Sequence, residues 1–278
     1  MRLPKREVTV FQKKIFTWWR KNKRDLPWRH THGPYKILIS EVMLQQTQVL
    51  RVLPIYQVFL DTFPTVIDLA NASTADVLRA WKGMGYNRRA VYLKKIAETV
   101  VRHYDGKFPT EEQSFRELPG IGLYTAAAIQ VFAYKRDVAM VDTNIRKIIT
   151  HFFFNDIPQK ELIILDTARQ LVPKGKSWQW HQALMDYGAS SVRPTSSAGR
   201  APLRIGGEKS VVPFKLSDRY FRGKILDDLR ERDYSIRSIQ LKYHKVYALT
   251  LPKIRFLLDG LIKDGLIAIT NAIVHLPK

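Results

Sequence analysis

Apolar residues recur at three- and four-residue spacing almost without a break from residue 7 to residue 188, and the punctuation between runs is short. A period near 3.6 makes each run one face of a helix, so such a chain must bury many short helices against one another. The spacing predicts helices over residues 7–22, 35–47, 50–61, 64–71, 74–81, 87–104, 111–117, 123–134, 142–153, 159–171 and 177–188, an all-α fold for residues 1–190. The pattern collapses at SVRPTSSAGRAPLRIGGEKSVVP, residues 191–213, whose Ser, Gly, Pro and Arg content reads as a linker. In residues 214–278 the stretches LSDRYFRGKILDDLRERD, SIRSIQLKY and LTLPKIRFLLDGLIKDGLI read as three more helices, and the alternation in AITNAIVHLPK as a small β-ribbon. Three helices and a ribbon match a small C-terminal winged-helix domain that contacts nucleic acid, and also a structural cap on the main domain.

Charge narrows the partner. Lys and Arg number 46 against 25 Asp and Glu, leaving +21, of which about +7 falls in residues 204–278. An excess spread over both parts suits a phosphate backbone, and a solubilising surface is the bland reading of the same numbers. There is no cysteine, which excludes disulfides, thiolate zinc sites and cysteine-ligated iron–sulfur clusters and fits a reducing compartment. The stretch MRLPKREVTVFQKKIF turns straight into amphipathic helix, with no signal-peptide pattern and no run of some 18 apolar residues. The expectation is a cytoplasmic, nucleoid-associated protein with no membrane partner.

The stretch ELPGIGLYTAAAI, residues 117–129, sets Leu118-Pro119-Gly120-Ile121-Gly122 between two helices. Gly120 and Gly122 permit positive φ and the close approach of a foreign backbone, and the following helix presents its unpaired amides there. Amides at a helix N-terminus attract a phosphodiester, so this reads as a DNA-binding helix-hairpin-helix or, with no ligand, as a tight turn between helices. Twenty residues after Gly122, Asp142 opens MVDTNIRKII, where it can cap the helix N-terminus and still face a cleft.

A helix-hairpin-helix followed by this aspartate resembles the endonuclease III superfamily of DNA glycosylases. Upstream, LPWRHTHGPYKILISEVMLQQTQV (residues 26–49), then WKGMGYNRRA (81–90) and WHQALMDYGA (180–189), resemble the MutY-type adenine-specific mismatch glycosylases in the same order. The resemblance covers roughly residues 8–190. It implies a monofunctional glycosylase that releases adenine paired with guanine or 8-oxoguanine from double-stranded DNA, leaving an abasic site for an abasic-site endonuclease. Two alternatives stay open: a thymine or uracil mismatch glycosylase of the same fold, and a non-catalytic DNA-binding protein.

Glu41 has Ile37, Leu38 and Leu44 as helical neighbours, so its carboxyl sits beside apolar surface and its pKa should rise. A carboxylic acid still protonated near neutral pH can protonate a departing purine, although an acid early in a helix is also favoured by the dipole. The resemblance makes Glu41 that acid and Asp142 the carboxylate that stabilises the oxocarbenium-like sugar, with Asn144 hydrogen-bonding beside it. Tyr124 occupies the position where strand-cutting members carry a Schiff-base lysine, and a phenol cannot form one. By the same resemblance Gln46 and Tyr86 insert into the duplex beside the lesion pair, while Trp28, Arg29, Leu44 and Gln182 help form the base pocket. Tyr86, after GMG, also reads as a packed turn residue.

The chain departs from the family pattern twice. The four-cysteine loop that usually follows the MDYGA-like segment is replaced by SSVRPTSSAGRAPLR, so no cofactor and no metal is expected, and Arg193, Arg200 and Arg204 are left to take over its DNA contacts. In place of a Nudix-like domain that reads 8-oxoguanine, the C-terminus offers only the winged-helix pattern.

Overall fold

The structure, a computed structural model, describes residues 2–190 and 213–278. The linker expected at 191–213, with Arg193, Arg200 and Arg204, lies outside the described residues except for Pro213. Helices dominate: α1 (Lys5–Asn22), α2 (Pro34–Leu44), α3 (Val49–Thr62), α4 (Val66–Asn71), α5 (Thr74–Ala80), α6 (Arg88–Tyr104), α7 (Glu112–Glu117), α8 (Leu123–Phe132), α9 (Thr143–Phe154), α10 (Glu161–Leu171) and α11 (Ser177–Ser190). They follow the eleven expected runs to within about three residues at either end, and several runs carry their own start or stop signal. Thr65 and Asp68 form a capping box at α4, Ser73 caps α5, and Asp105 and Asn155 end α6 and α9 in the left-handed conformation. No helix among the described residues is long and apolar enough to cross a membrane.

The chain divides into two compact units, Met1–Glu41 with Pro109–Gly207 and Val42–Phe108 with Glu208–Lys278. The first gathers α1 and α9–α11 around Phe11, Ile15, Ile145, Ile148, Ile149, Ile164, Leu171, Trp180 and Leu184, all buried. Its helix α8 is buried on nearly every side from Thr125 to Phe132, and its alanines let neighbouring backbones come close. Closer still is the approach of α11 to α9. A Cβ built on Gly188 would lie 2.8 Å from the Asn144 Cβ and 2.9 Å from its carbonyl oxygen.

In the second unit, the C-terminal segment contributes α12 (Asp218–Glu231), β1 (Tyr234–Ser235), α13 (Ile236–Tyr247), α14 (Leu251–Lys263), β2 (Ala268–Thr270) and β3 (Ile273–His275). The three expected helices and the ribbon are present. Strand β1, too short to be read from the sequence, completes an antiparallel sheet of order β1-β3-β2. This segment is bound to α5 and its flanks rather than standing apart. The Arg230 Nε donates to the Leu78 carbonyl at 2.9 Å and its Nη2 to the Asn87 Oδ1 at 2.9 Å, Lys82 pairs with Glu231 at 2.8 Å, and the Ala75 amide donates to the Pro277 carbonyl at 2.8 Å.

Helix α2 stops at Leu44 rather than 47, and the reason is a buried arginine. The Arg89 Nη1 donates to the carbonyls of Val42, Met43 and Gln45 at 2.8, 2.9 and 2.6 Å, and its Nη2 to the Thr47 hydroxyl at 3.0 Å and the Gly85 carbonyl at 3.2 Å. One guanidinium thus collects the orphan carbonyls of a helix end and ties them to the Gly83–Tyr86 turn. Burial draws its pKa down to about 10, which leaves it charged at neutral pH. The two turns it joins hold Gln46 at φ 54° and Tyr86 at φ 46°, left-handed conformations that cost on the order of 1 kcal/mol each.

Two glycine replacements read this packing in opposite directions. Gly188→Ala should lower the unfolding temperature, since overpacking against the backbone of Asn144 costs about 1–3 kcal/mol. Gly223→Ala, where an added Cβ meets nothing within 4 Å inside α12, should raise it through a gain of about 0.5–1 kcal/mol. Circular-dichroism melting of both variants checks the pair, and a stabilised Gly188→Ala would refute the close approach.

Candidate active site

Glu41, Tyr124 and Asp142 meet in the first unit. Glu41 lies on α2 and is only 6% exposed; Tyr124 and Asp142, both half-buried, stand in the first turn of α8 and at the N-cap of α9. The Tyr124 hydroxyl donates to the Glu41 carboxyl, and Asp142 is close enough for its charge to act on Glu41. Burial pushes the Glu41 carboxyl up to about 7; the Tyr124 hydrogen bond opposes this, and the like charge of Asp142 adds to it. The phenol of Tyr124 is pushed well above its ordinary value by burial and by both carboxylates, so it remains a neutral donor.

Asp142 caps its helix, as its sequence position allowed, and also meets a polar side chain. Its Oδ1 accepts from the Ile145 amide at 2.7 Å, capping α9, and its Oδ2 accepts from the Asn144 side-chain amide at 3.2 Å. Burial raises its pKa, while the Ile145 and Asn144 donors and the nearby Lys147 oppose the rise. These donors favour the anion, against the burial that favours the protonated form. Asn144 is therefore placed by α9, by Asp142 and by the surface of Gly188 together.

The expected base-pocket residues have separate anchors. Arg29, on the short turn Pro27–Arg29, gives Nη1 and Nη2 to the two oxygens of Asp186 at 2.8 Å each. Asp186 also accepts from the Trp19 indole at 3.0 Å and from the Arg24 side chain at 2.5 Å. Although burial opposes it, the Arg29 and Arg24 donors hold this carboxyl below its ordinary range. Trp28 and Gln182 are buried, and Leu44 is the last residue of α2, half-buried in the second unit.

Beside Gln182, the His181 Nε2 accepts from the Met140 amide at 3.2 Å and its Nδ1 lies 2.8 Å from the Ser177 carbonyl. Burial takes its pKa down to about 4, so the ring is a neutral brace under the segment that leads to Asp142. The sequence reading missed Arg24, His181, Asp186 and Arg89. Two signals were available: Asp186 lies inside the WHQALMDYGA motif, and a charged residue on the apolar face of a helix has to find a partner.

The hairpin Leu118–Gly122 joins α7 and α8. Leu118 is 3% exposed and anchors the turn. Gly120 takes φ 79°, the conformation the turn requires. Gly122 is extended at φ −91°, and nothing stands within 4 Å of where its Cβ would be, so what it leaves is open space in front of the α8 amides. Gln46 and Tyr86 are exposed in the second unit. With no cysteine in 278 residues, the chain has no thiolate to hold an iron–sulfur cluster, and among the described residues no group of three or more His, Cys, Asp or Glu could hold a metal ion.

Comparison with known proteins places the chain in a family. The family model for the HhH-GPD superfamily base excision DNA repair protein matches residues 39–174, a span that contains Glu41, Tyr124 and Asp142. An adenine DNA glycosylase of Mycolicibacterium smegmatis is 36% identical over 276 residues, covering 94% of this chain and 93% of its own. A thymine/uracil-DNA glycosylase of Methanothermobacter thermautotrophicus is 34% identical over 189 residues, 66% of this chain and 86% of that protein. The solved structure of a thermostable thymine-DNA glycosylase superposes with a TM-score of 0.62 at 32% identity, covering 66% of this chain and 87% of that one. With a relative this similar along nearly the whole length, and with the paired carboxylates inside the matched span, the chain belongs to the HhH-GPD superfamily of base excision DNA repair proteins.

Proposed function

We propose that this protein is a monofunctional adenine DNA glycosylase that hydrolyses the N-glycosidic bond of adenine mispaired with guanine or 8-oxoguanine in duplex DNA and leaves an abasic site. The observation that carries the reading is the grouping of Glu41, Tyr124 and Asp142: two carboxyls in different environments and a neutral phenol where strand-cutting relatives carry an amine. The adenine reading is supported by the Mycolicibacterium relative. The thymine/uracil relative supports the second reading, removal of thymine or uracil opposite guanine, on the same residues.

Protonated Glu41 gives its proton to a ring nitrogen of the flipped adenine. The bond from C1′ to the base then breaks with its electron pair leaving on the base, and the Asp142 carboxylate stabilises the positive charge left on the sugar. A water adds to C1′, and the proton it loses returns to Glu41. Tyr124 keeps the acid oriented without attacking the sugar, so the strand stays intact and its repair passes to a separate abasic-site endonuclease. The hairpin at Gly120 and Gly122 takes a phosphodiester on the α8 amides, and Gln46 and Tyr86 fill the gap left by the flipped base. The segment 214–278 acts as a winged-helix DNA contact, and the chain works without a cluster.

Single-turnover base release on A·8-oxoguanine, A·G, U·G, T·G and A·T duplexes, developed with alkali, tests the reading. Adenine release from the first two is expected; release confined to uracil or thymine would replace it with the second reading. Asp142→Asn should lower the rate at least about 100-fold while mismatch binding and melting temperature hold, because Asn caps a helix as well as Asp but carries no charge. If binding falls with activity, Asp142 is chiefly a structural cap.

Glu41 makes a prediction about pH. Release should be fastest below about pH 7, where the folded-state acid is protonated, and should fall as pH rises through that value. Stability follows the same sign. A carboxyl raised from 4.5 to about 7 costs nothing below its unfolded pKa, and a cost on the order of 3 kcal/mol develops as pH rises through the folded one. Glu41→Gln should therefore melt like wild type at pH 4 and several degrees higher at pH 8, while base release drops about 100-fold or more.

A further inference from the structure

A groove of about 760 Å³ opens on the second unit between the Gly83–Arg89 stretch and α12. Seven basic and three acidic side chains line it. The acids are already engaged: Asp264 by Arg222 and Arg88, Asp227 by Arg230, and Asp218 by Lys253. Arg219 forms no ion pair among the described residues. Its guanidinium carbon lies over the exposed ring of Tyr86, 3.7 Å from the centroid, and its Nη1 donates to the Tyr86 hydroxyl at 2.9 Å. Arg89 stands 5.3 Å from the same centroid, and its Nη2 donates to the Gly85 carbonyl of that turn. The contact is specific to Tyr86: Phe214, the other ring near Arg219, is 5.9 Å away.

We propose that Arg219 is a specificity-determining residue that reads the base left unpaired opposite the excised one, and that this base is guanine. The inference rests on the reading of Tyr86 as the residue that enters the duplex at the lesion pair. A ring that enters there carries Arg219 with it, since a cation–π contact and a hydrogen bond join the two. Of the five N–H donors of a guanidinium, those on Nε and Nη2 make no hydrogen bond among the described residues. Two parallel donors match the O6 and N7 acceptors of guanine, whereas thymine offers only O4. In 8-oxoguanine N7 carries a hydrogen, so only one of the two acceptors remains. The C-terminal segment thereby supplies a reader of the opposite base from α12.

The test uses binding to duplexes with a tetrahydrofuran abasic analogue opposite guanine, 8-oxoguanine or thymine, measured by fluorescence anisotropy for wild type, Arg219→Ala and Arg219→Lys. No excisable base is present, so the result does not depend on whether adenine, thymine or uracil is the substrate, and failure of the adenine reading would show separately in base release. Wild type should prefer guanine over thymine. Arg219→Ala should weaken the guanine duplex about 10- to 100-fold, the 8-oxoguanine duplex less and the thymine duplex least. Arg219→Lys, which keeps the charge but loses the fork, should lose the preference as Arg219→Ala does. Equal weakening on all three duplexes, or a preference restored by lysine, would make Arg219 a phosphate contact and overturn the proposal. So would a wild type that does not distinguish guanine from thymine, or an alanine variant that still does. Melting curves of the variants verify that each is folded.

Discussion

Placing two carboxyl groups in one dry site sets the terms for the first unit. A buried carboxylate is expensive, and two close together cannot both be anionic without donors to pay for it. The donors are distributed unequally. Asp142 has the Ile145 amide, a fixture of the helix it caps, and the Asn144 side chain, whereas Glu41 has the Tyr124 hydroxyl against heavy burial. That asymmetry gives the two carboxyls different surroundings. It also explains the demand for close packing around the site, because Asn144 keeps its place only while α11 presents no side chain at Gly188.

Behind these groups stands a layer of buried polar anchors. Asp186 accepts from Trp19, Arg24 and Arg29, and so ties α1 and the turn at Pro27–Arg29 to α11. His181, held neutral, braces the Met140 amide two residues before Asp142. In the second unit Arg89 plays a comparable part for Gln46 and Tyr86. A guanidinium suits this task because its fixed fork of donors satisfies several carbonyls at once, and breaking such a buried set costs about 3–5 kcal/mol. The two exposed side chains in left-handed conformations are held by one residue that no solvent-facing ligand needs to touch. Strain at positions of this kind survives only where the surroundings over-determine it.

Much of the fold was legible because the helices signal themselves. Periodic apolar faces, Thr65 with Asp68, Ser73, and Asp105 with Gly106 mark starts and stops through local chemistry alone. The early end of α2 was not legible, since nothing within residues 35–47 announces that Arg89, more than forty positions away, takes its last carbonyls. Strand β1 escaped for a similar reason: two residues carry no period, and only pairing with β3 makes them a strand. For the site, Glu41, Tyr124, Asp142 and Asn144 were found by resemblance to a family, and the apolar neighbours of Glu41 were the one independent physical hint.

The sequence by itself determined the helical architecture, the basic character of the chain, the helix-hairpin-helix turn at Gly120 and the lack of any thiolate for a cluster, because composition, periodicity and backbone constraint are local properties. Tertiary structure alone decided how deeply Glu41 is buried and which donors each carboxyl meets, that Arg29 is committed to Asp186, that the C-terminal segment is joined to the helices around α5 and that Arg219 lies on Tyr86. Each of these depends on burial or on partners distant in the chain. The free energy of a charge is set by what surrounds it in space, and no window of sequence contains that.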